Sequence, residues 1–294
     1  MADEHRNQHW IPEVYSRAWC DPNRPGIIHR YNSDGKYVDW RPVKRVFSQD
    51  DLYTIYGEAG ERDVRVETEF LHARETAFGR IRPKLENGDE LTEIEHAELL
   101  IFVASLHRRS PEARDHWQRF MDQVLKVGDD MDRHLKALPP DERREVAKGL
   151  RSISSSNDST SISLEDWRKK TAAQFGEWLP NHMFIEAKAM TGMGMVVLQA
   201  SADAGQFITS DSPVTWWDYE NPPGHRLGIG HPTIEVTLPI SPSTCILFRH
   251  GDAGTYQLNA EGVAEINHRT LHGCREFFIA NSPNVVVEWH QAPR

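Results

Sequence analysis

Charged side chains that interrupt an apolar stripe are the first candidates for chemistry in this sequence. The spacing predicts a helix from about Val64 to Ile81. At about 100° per residue, Phe70, Ala77, Phe78 and Ile81 share one face. Glu67 and Arg74 fall inside that face, and Glu75 lies at its edge beside Leu71. Burying a charge is costly unless it is paired. Two readings follow. One is an internal ion pair, or side chains that reach past the core to water. The other is a carboxylate pair facing a cleft, suited to metal ligation or proton transfer.

A second helix, around "LLIFVASLHRR", aligns His96, Leu100, Val103 and His107 and closes on Arg108-Arg109. Basic groups at a helix end answer the backbone dipole. The alternative is an arginine whose planar fork holds a phosphate or carboxylate. His5/His9 and His268/His272 have the spacing of a helix-borne metal pair. The first pair lies in an expected loop, and the second lacks a third ligand nearby in sequence.

The third candidate is Asp211 in "QFITSDSPVTWW". Three expected strands end in similar punctuation, "ITSDSP", "LPISP" and "IANSP". Ser and Asp bond their own backbone and Pro stops the ladder, which makes Ser212, Ser241 and Ser282 strand-end residues. Asp211 follows Thr209 and Ser210 at a strand exit, where functional groups are commonly presented. It is open to both readings, turn-former and site residue.

No P-loop, H-E-x-x-H or G-x-S-x-G occurs, and "GMGMVV" lacks the third glycine of a dinucleotide loop. No nucleotide cofactor is expected.

The elements that must position these groups can be read from periodicity. A short helix starts near Pro12, and "GIIHRYNSDGKYVDW" predicts a hairpin turning at Asp34-Gly35. Thr92 and Glu95 make a capping box before an all-apolar, central helix. Ser110-Pro111-Glu112 opens the next helix, with a core stripe of Trp117, Phe120, Met121, Val124 and Leu125. Another helix is expected after Pro139-Pro140. Residues 152–163, "SISSSNDSTSIS", predict a flexible loop. A tryptophan-bearing helix then runs from near Leu164 toward Ala189.

After Gly194 the period becomes that of strands: "MVVLQAS", "QFITS", "TIEVTLPIS", "CILFRHG", "FFIANS" and "NVVVEW", with one helix near Val263 to Leu271. The expected architecture is α+β in one domain, 1–294. Residues 1–60 hold an N-terminal helix and β-hairpin, 61–192 the helical middle, and 193–294 a mainly antiparallel sheet.

The 294 residues carry a formal charge of −10, which argues against sequence-independent nucleic-acid binding. Three scattered cysteines argue against a disulfide framework or cysteine-rich zinc site. No apolar run approaches ~18 residues, so no membrane span is expected. With a polar N-terminus, the expectation is a reduced, cytoplasmic protein.

The ordered segments "HWIPEVYSRAW", "IIHRYNSDGKY", "VETEFLHARETAF", "LLIFVASLHRRSPEAR", "FITSDSPV", "LPISPST" and "VAEINHRT" resemble domain-of-unknown-function family 4238, a mostly bacterial family with no assigned reaction. The resemblance runs through nearly the whole chain. It implies that His9, Glu67 or Glu75, Arg109, Asp211, Ser241 and Asn267 are its recurring polar positions. Ser212 stands where the family often has asparagine.

The leading expectation is a hydrolase in which His9, Glu67, Glu75 and Asp211 converge. Glu75 and Asp211 would bind a Mg or Mn ion. Arg74, Arg108, Arg109, Ser210, Ser241 and Asn267 would contact a phosphodiester or nucleotide, either a small molecule or a nucleic acid. The competing expectation is a non-catalytic binding or interaction protein. There the same groups form a structural network, and nine tryptophans supply an apolar surface.

Overall fold

This computed structural model describes residues 6–57, 59–153, 175–220, 227–251 and 253–285. From the N-terminus, β1 (Asn7–His9) leads through α1 (Glu13–Ser16) to the hairpin β2 (Ile27–Asn32) and β3 (Tyr37–Pro42). The hairpin turns on Gly35 at φ 83°, a left-handed conformation that glycine adopts without a Cβ clash. β4 (Ser48–Asp50) returns to pair antiparallel with β1, and β5 (Ile55–Tyr56) pairs with β6 (Arg62–Asp63).

The helical middle opens with a π-helical segment, Val66–Leu71, which runs into α2 (His72–Asn87). The expected end at Ile81 falls short by more than a turn. Pro83 is accommodated inside α2, and the chain stops instead at Gly88, with φ 77°. α3 (Glu93–Arg109) carries both halves of the Thr92–Glu95 capping box, and Leu99, Leu100 and Phe102 to Leu106 are buried as its composition requires. Phe78 of α2 stacks on Phe102 of α3 with ring centres 4.0 Å apart.

α4 (Pro111–Ala137), α5 (Pro140–Ile153) and α6 (Phe175–Met190) follow. Of the stripe expected on α4, only Met121 is buried, and Phe120 is 52% exposed. The serine-rich loop lies outside the described residues from 154 onward, as do residues 164–174 of the expected tryptophan-bearing helix.

The C-terminal strands are β7 (Gly194–Ala200), β8 (Thr209–Ser210), β9 (Thr215–Asp218), β10 (Ile234–Ser241), β11 (Thr244–Arg249), β12 (Gly254–Leu258) and β13 (Phe277–Ala280). α7 (Ala260–Gly273) interrupts them. A five-stranded sheet has the order β12-β7-β11-β10-β9, antiparallel throughout except for the parallel β12–β7 pair. A four-stranded sheet has the order β3-β2-β13-β8. "QFITS" forms a strand only at Thr209–Ser210, and β9 restarts pairing two residues after Pro213. β12 does not follow from the period, because its exposed Gly-Thr-Tyr-Gln run has no alternation. "NVVVEW" is described only as far as Val285. The architecture is α+β, with a helical middle and a C-terminal sheet.

Two compact units result. One combines Met1–Ala113 with Gly176–Arg294, and the other is Arg114–Phe175. The first therefore draws on all three expected segments. Its core includes Val196, Phe207, Cys245, Val263 and Ile266 between α7 and the larger sheet, and Tyr31, Ile208 and Phe278 on the smaller. α1 and the 3-10 turn that follows it (Arg17–Trp19) are fixed to both sheets. The Tyr15 hydroxyl donates to the Pro239 carbonyl at 2.6 Å and bonds the Thr209 hydroxyl at 2.7 Å, and the Trp19 indole donates to Phe207 O at 3.1 Å.

Candidate functional site

The site is assembled from the N-terminal strand inward. Gln8 is fully buried, so its amide must find partners inside the protein. Its Nε2 donates to the Thr54 hydroxyl at 3.0 Å, and its Oε1 accepts from the Tyr53 amide. Those two bonds hold the loop after β4 against β1 and set Tyr53 deep in the core. Gly176 lets α6 approach that same loop, since an added Cβ would stand 2.7 Å from the Tyr53 carbonyl.

Arg109, the last residue of α3, points into this region and is 0% exposed. Its Nε donates to the Tyr53 hydroxyl at 3.0 Å, Nη1 to Glu75 at 3.0 Å, and Nη2 to the His9 carbonyl. Burial alone would disfavour the guanidinium charge, but Tyr53, Glu75 and Glu67 together hold its pKa above the ordinary range. One cation thus joins three separate stretches of chain. A planar fork with donors in three directions suits this role, and lysine could not replace it.

Glu67 lies on the π-helical segment. Such a wide turn, frequent at functional sites, lags behind α-helical phase, so a 100° wheel misplaces Glu67 relative to Glu75. Glu67 is half-buried, but its Oε2 is shielded from solvent and has no hydrogen-bond partner among the described residues. Burial pushes its pKa up to about 7. Arg109 opposes the shift, Glu75 adds to it, and the His9 backbone amide opposes it. His9 moves the other way: burial lowers its pKa, so the neutral ring is favoured. Nε2 then donates to the Lys44 carbonyl at 3.2 Å, and Nδ1 is left as an acceptor. The cluster joins a carboxyl titrating near neutrality, a neutral imidazole and a cation-bound carboxylate. A carboxyl raised toward the working pH is suited to acid–base work.

Arg74, one residue before Glu75, lies over the Phe70 ring at 4.8 Å, and its buried Nε has no acceptor among the described residues. It is a cation suited to an anionic ligand. Arg108 is not: its Nε lies 2.5 Å from the buried Glu186 carboxylate, which also bonds His107 Nδ1 at 2.7 Å. Arg109, expected to touch substrate, is instead enclosed by protein groups and acts on Glu67 and Glu75 from behind.

Asp211 shares no partner with this cluster. Its Oδ1 accepts the Arg275 amide at 2.9 Å, and its Oδ2 accepts those of Glu276 at 2.6 Å and Phe277 at 3.3 Å. Burial raises its pKa, and the three amides pull it back. It fixes the turn into β13, which accounts for the carboxylate in "TSDSP". Asp211→Asn leaves one acceptor for three donors and is expected to lower stability by about 1–3 kcal/mol, read from urea unfolding. An unchanged midpoint together with lost activity would return Asp211 to a chemical role.

The remaining candidates have local roles as well. Ser210 Oγ accepts from Ser212 N at 3.1 Å, and Ser241 Oγ from Ser243 N at 3.4 Å. Asn267 mimics a strand partner, donating to Gln206 O and accepting from Ile208 N, both at 2.9 Å. His268 and His272 stand edge-on to the Trp217 ring, and His5 lies outside the described residues. Among the described residues, no three His, Cys, Asp or Glu side chains are grouped to hold a metal ion.

The fold and the cluster define an α+β protein in which buried Arg109 gathers half-buried His9, Glu67 and Glu75 from the N-terminal strand, the π-helical segment and α2. The family model for protein of unknown function DUF4238 matches residues 7–284, and the chain belongs to that family. Comparison with curated proteins and with solved structures gave no match. Among the described residues no helix is long and apolar enough to cross a membrane.

Proposed function

We propose that this protein is a cytoplasmic hydrolase in which Glu67 transfers the proton and a phosphodiester or nucleotide is the substrate. The observation that carries this reading is the shielded Glu67 Oε2, without a hydrogen-bond partner among the described residues, on a carboxyl that feels the Glu75 charge and the His9 backbone amide. A carboxyl with a pKa near the working pH can give a proton to a leaving oxygen and take one from water in the same cycle. His9, whose ring feels the Glu75 charge, is the second group of the cluster able to accept a proton. Arg109 is a positioning residue that holds Glu75, Tyr53 and the His9 backbone in register.

Arg74 favours an anionic substrate, because its guanidinium lacks a carboxylate partner among the described residues. The divalent-ion version draws support from the way Mg²⁺ is usually held, by one or two carboxylates plus substrate phosphates. Glu75 fits that donor set as a single carboxylate; Asp211, with its oxygens turned to three amides, does not. Such an ion would polarise the phosphoryl oxygen. Free Cys20, Cys245 and Cys274 are in keeping with a reducing compartment.

The test is a hydrolysis screen over nucleotides, DNA and RNA, with and without Mg²⁺ or Mn²⁺. Turnover by the parent protein that disappears in Glu67→Gln supports the reading; no turnover on any substrate, or an equally active variant, overturns it. Arg74→Ala is expected to raise KM about tenfold with kcat little changed, the loss of a charged hydrogen bond.

A second reading has its own observation. Three donors of Arg109 are occupied by protein, as in a purely structural polar network. In that case Glu67→Gln alters stability and no reaction.

A further inference from the structure

We propose that Asp21, His29 and Tyr37 form a second catalytic site, separate from Glu67, in which the Tyr37 phenol is a nucleophile toward anionic activated esters. His29 is 3% exposed and sits mid-strand in β2. Its Nε2 lies 3.0 Å from Asp21 Oδ2, and its Nδ1 lies 3.3 Å from the Tyr37 hydroxyl. Asp21 is held in turn, with its Oδ1 accepting the Asn23 amide at 2.8 Å and its backbone N–H bonding Ile27 O at 2.7 Å. In the tautomer that gives Nε2–H to the carboxylate, His29 presents the Nδ1 lone pair to the phenol. Nucleophile, base and orienting acid are thus in hydrogen-bond sequence.

The strand geometry builds this arrangement. β2 and β3 pair His29 with Trp40 and Arg30 with Asp39, then slip so that Tyr31 faces Tyr37. Val38 is the extra residue. In regular alternation Tyr37 and Trp40, three apart, would lie on opposite faces. The bulge puts both on the His29 face, a common use of bulges beside reactive groups. Tyr37 is 42% exposed and Trp40 47%, so the base is sheltered while the phenol is open. The Arg24 guanidinium lies over the Trp40 ring at 4.4 Å, which sets a cation and a flat apolar surface beside the nucleophile. That pairing selects an acyl group with a negative charge.

In the reaction the phenolic proton passes to His29 Nδ1 as the phenolic oxygen bonds the acyl carbon. The bond from that carbon to the leaving oxygen breaks, and the alcohol departs with the histidine proton. Water then attacks the acyl-tyrosine and gives a proton to His29. Release of the carboxylic acid returns Tyr37 to its phenol. Asp21 is a positioning residue.

The probe is 4-nitrophenyl hemisuccinate, with acylation of each tyrosine followed by peptide mass spectrometry. Tyr56, Tyr219 and Tyr256 are 44%, 47% and 53% exposed and serve as references in the same molecule. Tyr37 should acylate at least tenfold faster than any of them. Asp21→Asn should remove most of that excess with the three references unchanged, which also reports an intact fold. Arg24→Ala should abolish the preference for the hemisuccinate over the neutral 4-nitrophenyl acetate. Acylation of Tyr37 no faster than the references, or an excess that survives Asp21→Asn, overturns the proposal.

Discussion

Replacing Arg109 with methionine is expected to destabilise the larger unit by about 3–5 kcal/mol, the usual cost of breaking a buried ion pair from one side. The variant keeps the volume of the side chain and loses its charge. It leaves the Glu75 carboxylate, the Tyr53 hydroxyl and the His9 carbonyl without their shared donor. Urea unfolding followed by tryptophan fluorescence and by far-UV circular dichroism reads the loss. Arg109→Lys should fall only part of the way back, since one ammonium on a flexible stem cannot span three diverging acceptors. A loss below about 1 kcal/mol for the methionine variant would mean that the arginine does not hold the N-terminal strand to the helices.

The second large effect is on turnover. Glu67→Gln preserves shape and removes the transferable proton, so the hydrolysis rate should drop by about 10²–10⁴, the usual contribution of a general acid–base group. The same variant should also change how stability depends on pH. Glu67 titrates at its ordinary 4.5 when unfolded and near 7 when folded. Between those values the folded chain holds a proton that the unfolded chain has lost. The contribution to stability is therefore complete below about 4.5 and is lost as pH rises through about 7. His9, with its lowered pKa, acts in the opposite sense as it deprotonates. Subtracting the Glu67→Gln curve from the parent curve isolates the glutamate. A flat difference between pH 4.5 and 7 would remove the proposed carboxyl shift.

Part of this site could be read from residue order. Glu67 was visible because it interrupts an apolar helical stripe, and Arg109 because it closes an apolar helix, where a planar fork can hold a carboxylate. The identity of the partner was not visible. Arg109 meets Tyr53 and His9 through the pairing of β1 with β4, and neither residue carries a local signal of that role. Gln8 could have been suspected only from an amide beside His9 in a short strand; its burial comes from tertiary packing. Arg108 looked like its neighbour, but Glu186, 78 positions later, engages it.

The sheets show the same division. Alternation identified "IIHRYN" and "FFIANS" as strands, yet nothing in their period says that Ile279 lies opposite Arg30. Register fixes which face is buried, while the choice of partner strand is made by the whole fold. Asp211 illustrates a signal with two meanings. Its serine and proline neighbours correctly announced a strand end, and the carboxylate completes that turn by capping three amides. The π-helical turn was hidden because helical wheels assume one residue spacing throughout.

The most direct test is a carbon-13 NMR titration of the Glu67 side-chain carboxyl, assigned by its absence in Glu67→Gln. The account predicts a midpoint near 7, with Arg109 and Glu75 in place. A midpoint at the ordinary 4.5 would contradict it, because a carboxyl fully ionised at neutral pH has no proton to deliver.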